Sequence, residues 1–255
     1  MTTSPHEPPR IAVIGATGRV GTETARIFAG LGWSLELTSR RVEELETLVG
    51  ELESIGTAAS VRGHRLDLTD ASAISTFSGV FDSSLDAKAP ALDAVVVAGS
   101  PFEEIPLEEA TIDHFTRQCA AQVGGPATLL TGLRPALERS RISGGPAVVL
   151  FGDVHAVHRP RPGATPYLAA KAAAEGLVGL LAVELAPIRV MGISPGVVGW
   201  PPDWAEERRA TYLQRVPLGR AGTPHEAASL ARSLIIDATY CTGVVIPVDG
   251  GRHLR

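Results

Sequence analysis

The sequence has few cysteines and no long apolar run. Only Cys119 and Cys241 occur among its 255 residues, too few for a disulfide framework. No stretch of about 18 apolar residues predicts a membrane helix, and no apolar leader follows the first methionine. We therefore expect a soluble, intracellular protein, located in the cytoplasm, with no membrane partner.

Charge of one sign is not concentrated anywhere in the chain. The formal net charge is −5, and arginines and glutamates are interspersed. A protein that binds nucleic acid usually carries a basic patch, so we expect no nucleic-acid partner. We also predict no metal site. Lysine and tyrosine are scarce: the chain contains only Lys88 and Lys171, and three tyrosines.

Apolar residues make up 44% of the chain, enough for one large core. The first ten residues are polar and include three prolines, which predicts a loose tail over residues 1–10. No linker or repeat divides the remainder. We therefore predict a single domain over residues 11–255.

Short apolar runs alternate with longer amphipathic segments. The predicted strands are residues 11–14, 35–38, 61–66, 94–98, 147–151, 190–193 and 244–248. The predicted helices are residues 20–31, 42–55, 71–77, 112–138, 166–185 and 224–236. Most of the strands are apolar throughout, as expected of strands that are buried on both faces. The pattern predicts an α/β, doubly wound Rossmann fold: a seven-stranded parallel sheet with helices on both faces.

A glycine-rich turn follows the first strand. It reads Gly15-Ala-Thr-Gly18-Arg-Val-Gly21 and leads directly into a helical pattern. Glycines at these positions let the backbone approach a pyrophosphate, which the helix N-terminus also attracts. The turn alone is weak evidence, because an ordinary strand-to-helix loop can share it. It becomes informative together with the features that follow.

The second strand ends without the carboxylate that usually binds the ribose 2′-hydroxyl of NAD. Its end reads Thr38-Ser39-Arg40-Arg41. Arg40, with Arg19 from the glycine-rich turn, is suited to bind the 2′-phosphate of NADP(H). We therefore expect NADP(H) rather than NAD(H). A solvated start to the next helix is the alternative interpretation, and it suits Arg41.

Tyr167 and Lys171 are four residues apart in Tyr-Leu-Ala-Ala-Lys. On a helix this spacing places the phenol and the ammonium on one face, one turn apart. A nearby cation favours phenolate and lowers the pKa of a tyrosine from about 10 toward the working pH. The pair therefore predicts acid–base catalysis by Tyr167. A surface lysine beside a packed tyrosine is the alternative.

From residue 11 to residue 251 the chain resembles the short-chain dehydrogenase/reductases. The motifs that carry the resemblance are the glycine-rich turn, Asp67-Leu68-Thr-Asp70, Ala98-Gly99, the Tyr-Lys pair, Ser-Pro195-Gly196-Val-Val198 and Asp249-Gly250-Gly251. The resemblance implies a homodimer or homotetramer built through the segments 112–138 and 166–185. It also implies the following cofactor-binding residues: Gly15, Thr17, Gly18, Arg19, Val20, Gly21, Ser39, Arg40, Asp67, Leu68, Ala98, Gly99, Tyr167, Lys171, Pro195, Gly196 and Val198.

The chain departs from the family pattern in its active site. The usual Asn, Ser, Tyr, Lys tetrad keeps only its last two members. Asp153 stands nearest the serine position, either as a group that orients substrate or as a turn residue. Gln122 replaces the helix asparagine, to hold the relay water or to pack. Nearby, His155 and Trp200 are candidates for the substrate pocket, with a surface histidine and a buried lid as the alternatives.

Three functions fit this sequence. The first is an NADP(H)-dependent oxidoreductase acting on the carbonyl or imine of a small apolar or aromatic metabolite, with Tyr167, Lys171, Asp153 and Gln122 as its catalytic residues. The second is a non-redox enzyme that performs elimination or cyclisation on the same scaffold. The third is a cofactor-binding protein without chemistry. The intact Tyr167–Lys171 pair argues against the third.

Overall fold

The computed structural model describes residues 7–86, 88–201 and 204–255. Residues 1–6 of the expected tail, and residues 202–203 of the loop that follows Trp200, lie outside the described residues. The first strand begins at Arg10, one residue earlier than expected. Arg10 is held there by its backbone N–H, which donates to Asp93 Oδ2 at 2.8 Å, and by an ion pair with the buried Glu36.

Seven strands form one parallel sheet in the order β3-β2-β1-β4-β5-β6-β7. The strands are β1 (Arg10–Ile14), β2 (Ser34–Ser39), β3 (Ser60–Arg65), β4 (Ala94–Val97), β5 (Ala147–Phe151), β6 (Arg189–Pro195) and β7 (Val245–Val248). Strand order reverses between β1 and β4, and ligands of such sheets bind beyond the carboxyl ends at this point. The predicted fold class is confirmed.

Alternate residues of each central strand pack into cores on opposite faces of the sheet. In β1, Ile11 and Val13 join one core, whereas Ala12 and Ile14 join the other. The first core is covered by α1 (Arg19–Gly30), α2 (Val42–Ile55) and α9 (Pro224–Ile236). The second is covered by α3 (Ala71–Gly79), α5 (Gly125–Glu138) and α7 (Thr165–Glu184). Burial on both faces explains why these strands are apolar throughout.

The segment 112–138 is not the single helix that the sequence predicted. It consists of α4 (Ile112–Cys119), a π turn (Ala120–Gly124) and α5. Two short helices were not predicted, α6 (Val154–Val157) and α8 (Glu206–Leu213). Helix α8 buries no residue, and its sequence therefore has no apolar stripe from which a helix could be predicted.

Helix α7 is long and apolar. An 18-residue stretch within Thr165–Glu184 has a mean hydropathy of 1.3, so by length and composition this helix could cross a membrane. However, 44% of this stretch is buried inside the protein, and Val178 and Leu181 lie in the core against the sheet. Core helices of soluble proteins share these properties.

Candidate active site

The glycine-rich turn passes close to the loop after β4. A Cβ atom on Gly15 would lie 2.3 Å from the Cα atom of Gly99, and one on Gly21 would lie 2.2 Å from the Gly15 carbonyl oxygen. Only glycine allows these backbone contacts. Gly18 precedes α1 without a side-chain cap, so the first N–H groups of the helix are free of capping partners. The turn therefore fits a pyrophosphate.

A cleft of about 520 Å³ opens beside this turn, at the carboxyl ends of β1 and β4. Nine of the predicted cofactor-binding residues line it: Gly15, Thr17, Gly18, Ser39, Arg40, Asp67, Leu68, Ala98 and Gly99. The acidic segment is ordered by Asp67, whose carboxylate accepts from the backbone N–H of Thr69 at 2.9 Å. Residues from four strand ends thus meet in one cleft of a size suited to a nucleotide.

Arg40 and Arg41 both line the far end of the cleft, but their environments differ. Arg41 donates to the backbone oxygen of Thr17 at 2.9 Å and pairs with Glu44 at 2.7 Å. Arg40 is exposed, and among the described residues no hydrogen bond or ion pair holds its side chain. Arg40 therefore has a guanidinium available for a ligand.

Arg19 does not join Arg40 as the sequence predicted. Its guanidinium donates to the backbone oxygens of Gly199 at 2.7 Å and Trp200 at 3.0 Å. The side chain is thus directed along the cleft edge toward the Trp200 loop. Arg19 holds that loop against the glycine-rich turn.

Tyr167 and Lys171 lie on one face of α7, both buried. The Lys171 ammonium lies 5.9 Å from the Tyr167 ring centre and donates to the backbone oxygen of Phe151 at 2.6 Å. The Tyr167 hydroxyl donates to Asp153 Oδ2 at 3.3 Å. Helical spacing brings the pair together as predicted, and the end of β5 supplies the partners of both side chains.

The sequence predicted a lowered pKa for Tyr167, whereas in the structure its pKa is raised. Burial, and then the Asp153 carboxylate, raise the pKa of the phenol above its ordinary value, although a hydrogen bond with Ser100 opposes the rise. Burial also lowers the pKa of Lys171 to about 8, against the opposing effects of Asp153 and Glu175. Both shifts arise because an apolar environment disfavours the charged form of each group.

Asp153 has two contacts at once. Its Oδ1 atom caps α6 by accepting from the backbone N–H of His155 at 2.9 Å, and its Oδ2 atom accepts from Tyr167. The turn role and the active-site role considered from the sequence are therefore compatible. The backbone N–H of Asp153 donates to Glu175 Oε1 at 3.1 Å, which fixes the loop to α7.

His155 is buried rather than at the surface. Its Nδ1 atom lies 2.9 Å from the carbonyl oxygen of Arg159, which can only accept, so Nδ1 carries the proton and Nε2 is left as an acceptor. Burial is the main reason that its pKa is lowered, so the ring is neutral near pH 7. The ring packs against Tyr212 with 5.9 Å between centroids.

The Pro195–Val198 turn begins at the carboxyl end of β6, is not among the residues that line the cleft, and is held by backbone and side-chain hydrogen bonds. The N–H of Gly196 donates to the backbone oxygen of Val248 at 3.0 Å, and the N–H of Val197 donates to Tyr212 Oη at 3.1 Å. Trp200 packs 5.9 Å from the same tyrosine ring. Tyr212 therefore connects the turn to the Trp200 loop.

Gln122 is buried on the π turn. Its Nε2 atom donates to Gln118 Oε1 at 2.6 Å, and Gln122 Oε1 is buried with no hydrogen-bond partner among the described residues. Gln122 and Lys171 line the same cavity of about 10 Å³, the size of about one water molecule.

Sequence reasoning did not single out four residues of this site. They are Ser100, Phe102, Glu175 and Tyr212. The Phe102 ring packs edge-on against Tyr167 at 5.0 Å, and Ser100 follows directly after the recognised Ala98-Gly99. That position in the motif was the available signal for Ser100. In the ranges that the structure describes, no three His, Cys, Asp or Glu residues are grouped to hold a metal ion.

Comparison with known proteins finds dehydrogenases and reductases that are similar to this chain in sequence and in structure. A family model described as enoyl-(acyl carrier protein) reductase matches residues 15–253. Galactitol 2-dehydrogenase (L-tagatose-forming) of Cereibacter sphaeroides is 31% identical over 251 residues, which are 94% of this chain and 93% of the relative. The 3-oxoacyl-acyl-carrier-protein reductase FabG of Thermotoga maritima is 29% identical over 244 residues, 94% of this chain and 95% of that protein.

Among solved structures, a short-chain type dehydrogenase/reductase from Mycobacterium ulcerans has a TM-score of 0.85 at 26% identity, covering 97% of this chain and 90% of that one. A glycine turn on the first strand and a tyrosine–lysine pair beside the fifth are features of oxidoreductases that transfer a hydride with a nicotinamide cofactor. The comparisons narrow this class: the chain belongs to the short-chain dehydrogenase/reductase family.

Proposed function

We propose that the protein is an NADP(H)-dependent oxidoreductase that interconverts a carbonyl or imine group with its reduced form in a small apolar or aromatic metabolite. The observation that carries this proposal is the position of Tyr167 and Lys171, both buried beside the end of β5. When bound, the nicotinamide cofactor would supply or accept the hydride. The residues of the chain would bind and orient the cofactor and the substrate, and would move the proton.

Tyr167 is the proton donor to the substrate oxygen or nitrogen in the reductive direction. The Lys171 ammonium, on the same helix face, stabilises the phenolate that forms. Asp153 lies where the family has a serine, and its carboxylate cannot donate to a carbonyl unless it is protonated. An ionised Asp153 favours an imine, whose nitrogen becomes cationic when it accepts the Tyr167 proton, over a neutral ketone.

The preference for NADP(H) rests on Arg40. Its guanidinium lines the cleft without a partner among the described residues, whereas Arg41 is held by Thr17 and Glu44. A 2′-phosphate would receive charge-assisted hydrogen bonds from Arg40. No acidic side chain of β2 stands at the cleft to bind a ribose 2′-hydroxyl, since the strand ends in Thr38 and Ser39.

Aromatic side chains support an apolar or aromatic substrate. Phe102 lies 5.0 Å from the Tyr167 ring, and the rings of Trp200 and Trp204 are 5.8 Å apart. Phe102 brings apolar surface to the pair, and we propose that the two tryptophans line the same substrate pocket.

Turnover of purified protein with NADPH and a panel of ketones and imines tests the proposal. Oxidation of NADPH at 340 nm, lost by about a hundredfold or more in Tyr167→Phe and kept in the exposed control Tyr240→Phe, is the expected result. Product formed without a change in NADPH would instead support a non-redox enzyme. Cofactor binding without any product would support a protein without chemistry.

We also propose a homodimer or homotetramer built through α4 and α7. The two helices pack together and leave large apolar side chains exposed, with Ile112 at 82%, Leu180 at 66% and Val183 at 78%. Cys119 and Cys241 are both free, which fits a cytoplasmic, reducing location. Light scattering of the wild type and of Leu180→Glu would test the assembly, with a monomeric variant as the expected result.

A further inference from the structure

A chain of buried amides leads from the cleft wall to the cavity beside Lys171. Gln118 Nε2 donates to Glu103 Oε2 at 3.3 Å, and Gln122 Nε2 donates to Gln118 Oε1 at 2.6 Å. Gln118 is fully buried, and Gln122 is 5% exposed. Arg117, which is not one of these amides, pairs with the same oxygen of Glu103 at 2.9 Å.

The chemistry of these groups fixes the direction of the chain. An ionised carboxylate can only accept hydrogen bonds, so the NH₂ group of Gln118 must face Glu103. The oxygen of Gln118 then faces Gln122 and accepts from its NH₂ group. The remaining polar atom, Gln122 Oε1, is directed away from Gln118 and has no partner among the described residues.

We infer that Glu103 is a positioning residue, which sets through Gln118 the orientation of the Gln122 amide, so that Gln122 presents an acceptor oxygen to the cavity beside Lys171. This cavity, of about 10 Å³, is lined by Gln122, Lys171 and Ser100. An acceptor there favours a protonated Lys171, directly or through one water molecule. The consequence for catalysis rests on the proposed function, but the orientation does not.

The reverse orientation would have the opposite effect. If Gln118 turned over, its NH₂ group would donate to Gln122 Oε1, and the NH₂ group of Gln122 would face the ammonium. The other charged or titratable groups near Lys171 are Tyr167 and Glu175 on α7 and Asp153 after β5. None of them belongs to the chain of amides, so variants of Glu103 and Gln118 leave them in place.

Lysine-selective labelling gives a direct measurement, because the chain has only two lysines. The NMR signals of ¹³Cε-labelled Lys88 and Lys171 can be assigned with Lys88→Arg and titrated without substrate. The exposed Lys88 serves as an internal reference. In the wild type, Lys171 is expected to titrate at about 8, below the usual range of a lysine.

Four variants separate orientation from charge. Glu103→Leu removes the acceptor, and Gln118→Leu cuts the chain without changing any charge. Each is expected to lower the pKa of Lys171 by about half a unit, a roughly threefold change in its dissociation constant. Glu103→Gln keeps an acceptor oxygen but no charge, and Arg117→Met keeps the carboxylate, so both are expected to shift the pKa of Lys171 much less.

Equal shifts in Glu103→Leu and Glu103→Gln would mean that charge alone acts, and this would overturn the inference. An unchanged Lys171 titration in Gln118→Leu would overturn it as well. If Gln118→Leu does not fold, the comparison of the two Glu103 variants still decides. The titration needs no turnover. A protein without activity would contradict the proposed function, whereas the titration would still test this inference.

Discussion

The Tyr167 hydroxyl donates to Asp153 Oδ2 at 3.3 Å, so the proposed proton donor faces a carboxylate. This carboxylate raises the pKa of Tyr167, in addition to the effect of burial. It also accepts from the backbone N–H of His155, a cap that serine or asparagine could equally provide. The charge of Asp153 can therefore be removed without removing its structural role.

Replacing Asp153 by serine or asparagine is expected to lower the pKa of Tyr167. In the oxidative direction Tyr167 must be deprotonated, so the rate rises as pH passes through this pKa, and the variants should show that rise at lower pH. Asp153→Ser also supplies a hydroxyl donor, and kcat/KM for a neutral ketone should increase about tenfold or more. The pH dependence of kcat/KM measures both effects.

Asp153→Asn is the matched control, because it removes the charge and keeps the shape. It should share the pH shift of Asp153→Ser. For an imine both variants should be slower than the wild type, since the favourable carboxylate is lost. If kcat/KM for a neutral ketone were higher in the wild type than in both variants, this role for Asp153 would be contradicted.

Arg40 should determine the choice between the two cofactors. Arg40→Ala is expected to weaken NADPH binding by about tenfold to a hundredfold, the value of one charge-assisted contact, and to leave NADH binding nearly unchanged. Arg41→Ala is the matched neighbour, and a smaller effect is expected because Thr17 and Glu44 already hold its guanidinium. Calorimetric titration with both cofactors measures the difference; equal losses for NADPH and NADH would argue against a 2′-phosphate contact.

The parts of the site that the sequence predicted are local. The spacing of Tyr167 and Lys171 follows from the helical period, and the glycine-rich turn follows directly from its strand. Burial of both faces of the strands left apolar runs that identified the sheet. These features depend on neighbours within a few residues, and a single sequence contains that information.

The parts that it missed depend on distant contacts. Arg19 is held by Gly199, 180 residues away, and a charge count near the glycine-rich turn cannot show that contact. The rise in the pKa of Tyr167 requires both burial and the position of Asp153, 14 residues earlier. Helix α8 escaped prediction because its sequence is polar and it buries no residue.

Two glycines of α1 should respond in opposite ways to alanine. A Cβ atom on Gly21 would lie 2.2 Å from the Gly15 carbonyl oxygen, whereas one on Gly30 would meet nothing within 4 Å. Gly21→Ala is therefore expected to lower the free energy of unfolding by about 1–3 kcal/mol and to weaken cofactor binding. Gly30→Ala should raise the free energy of unfolding by up to about 1 kcal/mol. Denaturant titration of both variants is the measurement, and similar results for the two would contradict the close approach.

Arg189 of β6 should be a major determinant of stability, although it lies outside the cleft. Its five N–H donors reach five backbone oxygens, which belong to Gly144, Gly145, Leu234, Ile235 and Ala238. Three of these carbonyls lie at or just beyond the C-terminus of α9, where the helix leaves its last acceptors unpaired and a cation is favourable. The guanidinium thus joins this helix end to the loop before β5.

Arg189→Met keeps the apolar stem but leaves buried carbonyls without donors, and we expect it to lower the free energy of unfolding by about 3 kcal/mol. Arg189→Lys should recover only part of this, because three donors cannot serve five acceptors. Arg232→Met is the control on α9: its ion pair with Asp237 is partly exposed, and its loss should cost less than about 1 kcal/mol. Since Arg189 lies away from the catalytic pair, kcat should stay near the wild-type value wherever the variant is folded. A similar loss of stability in Arg189→Met and Arg232→Met would show that the buried carbonyls find other partners.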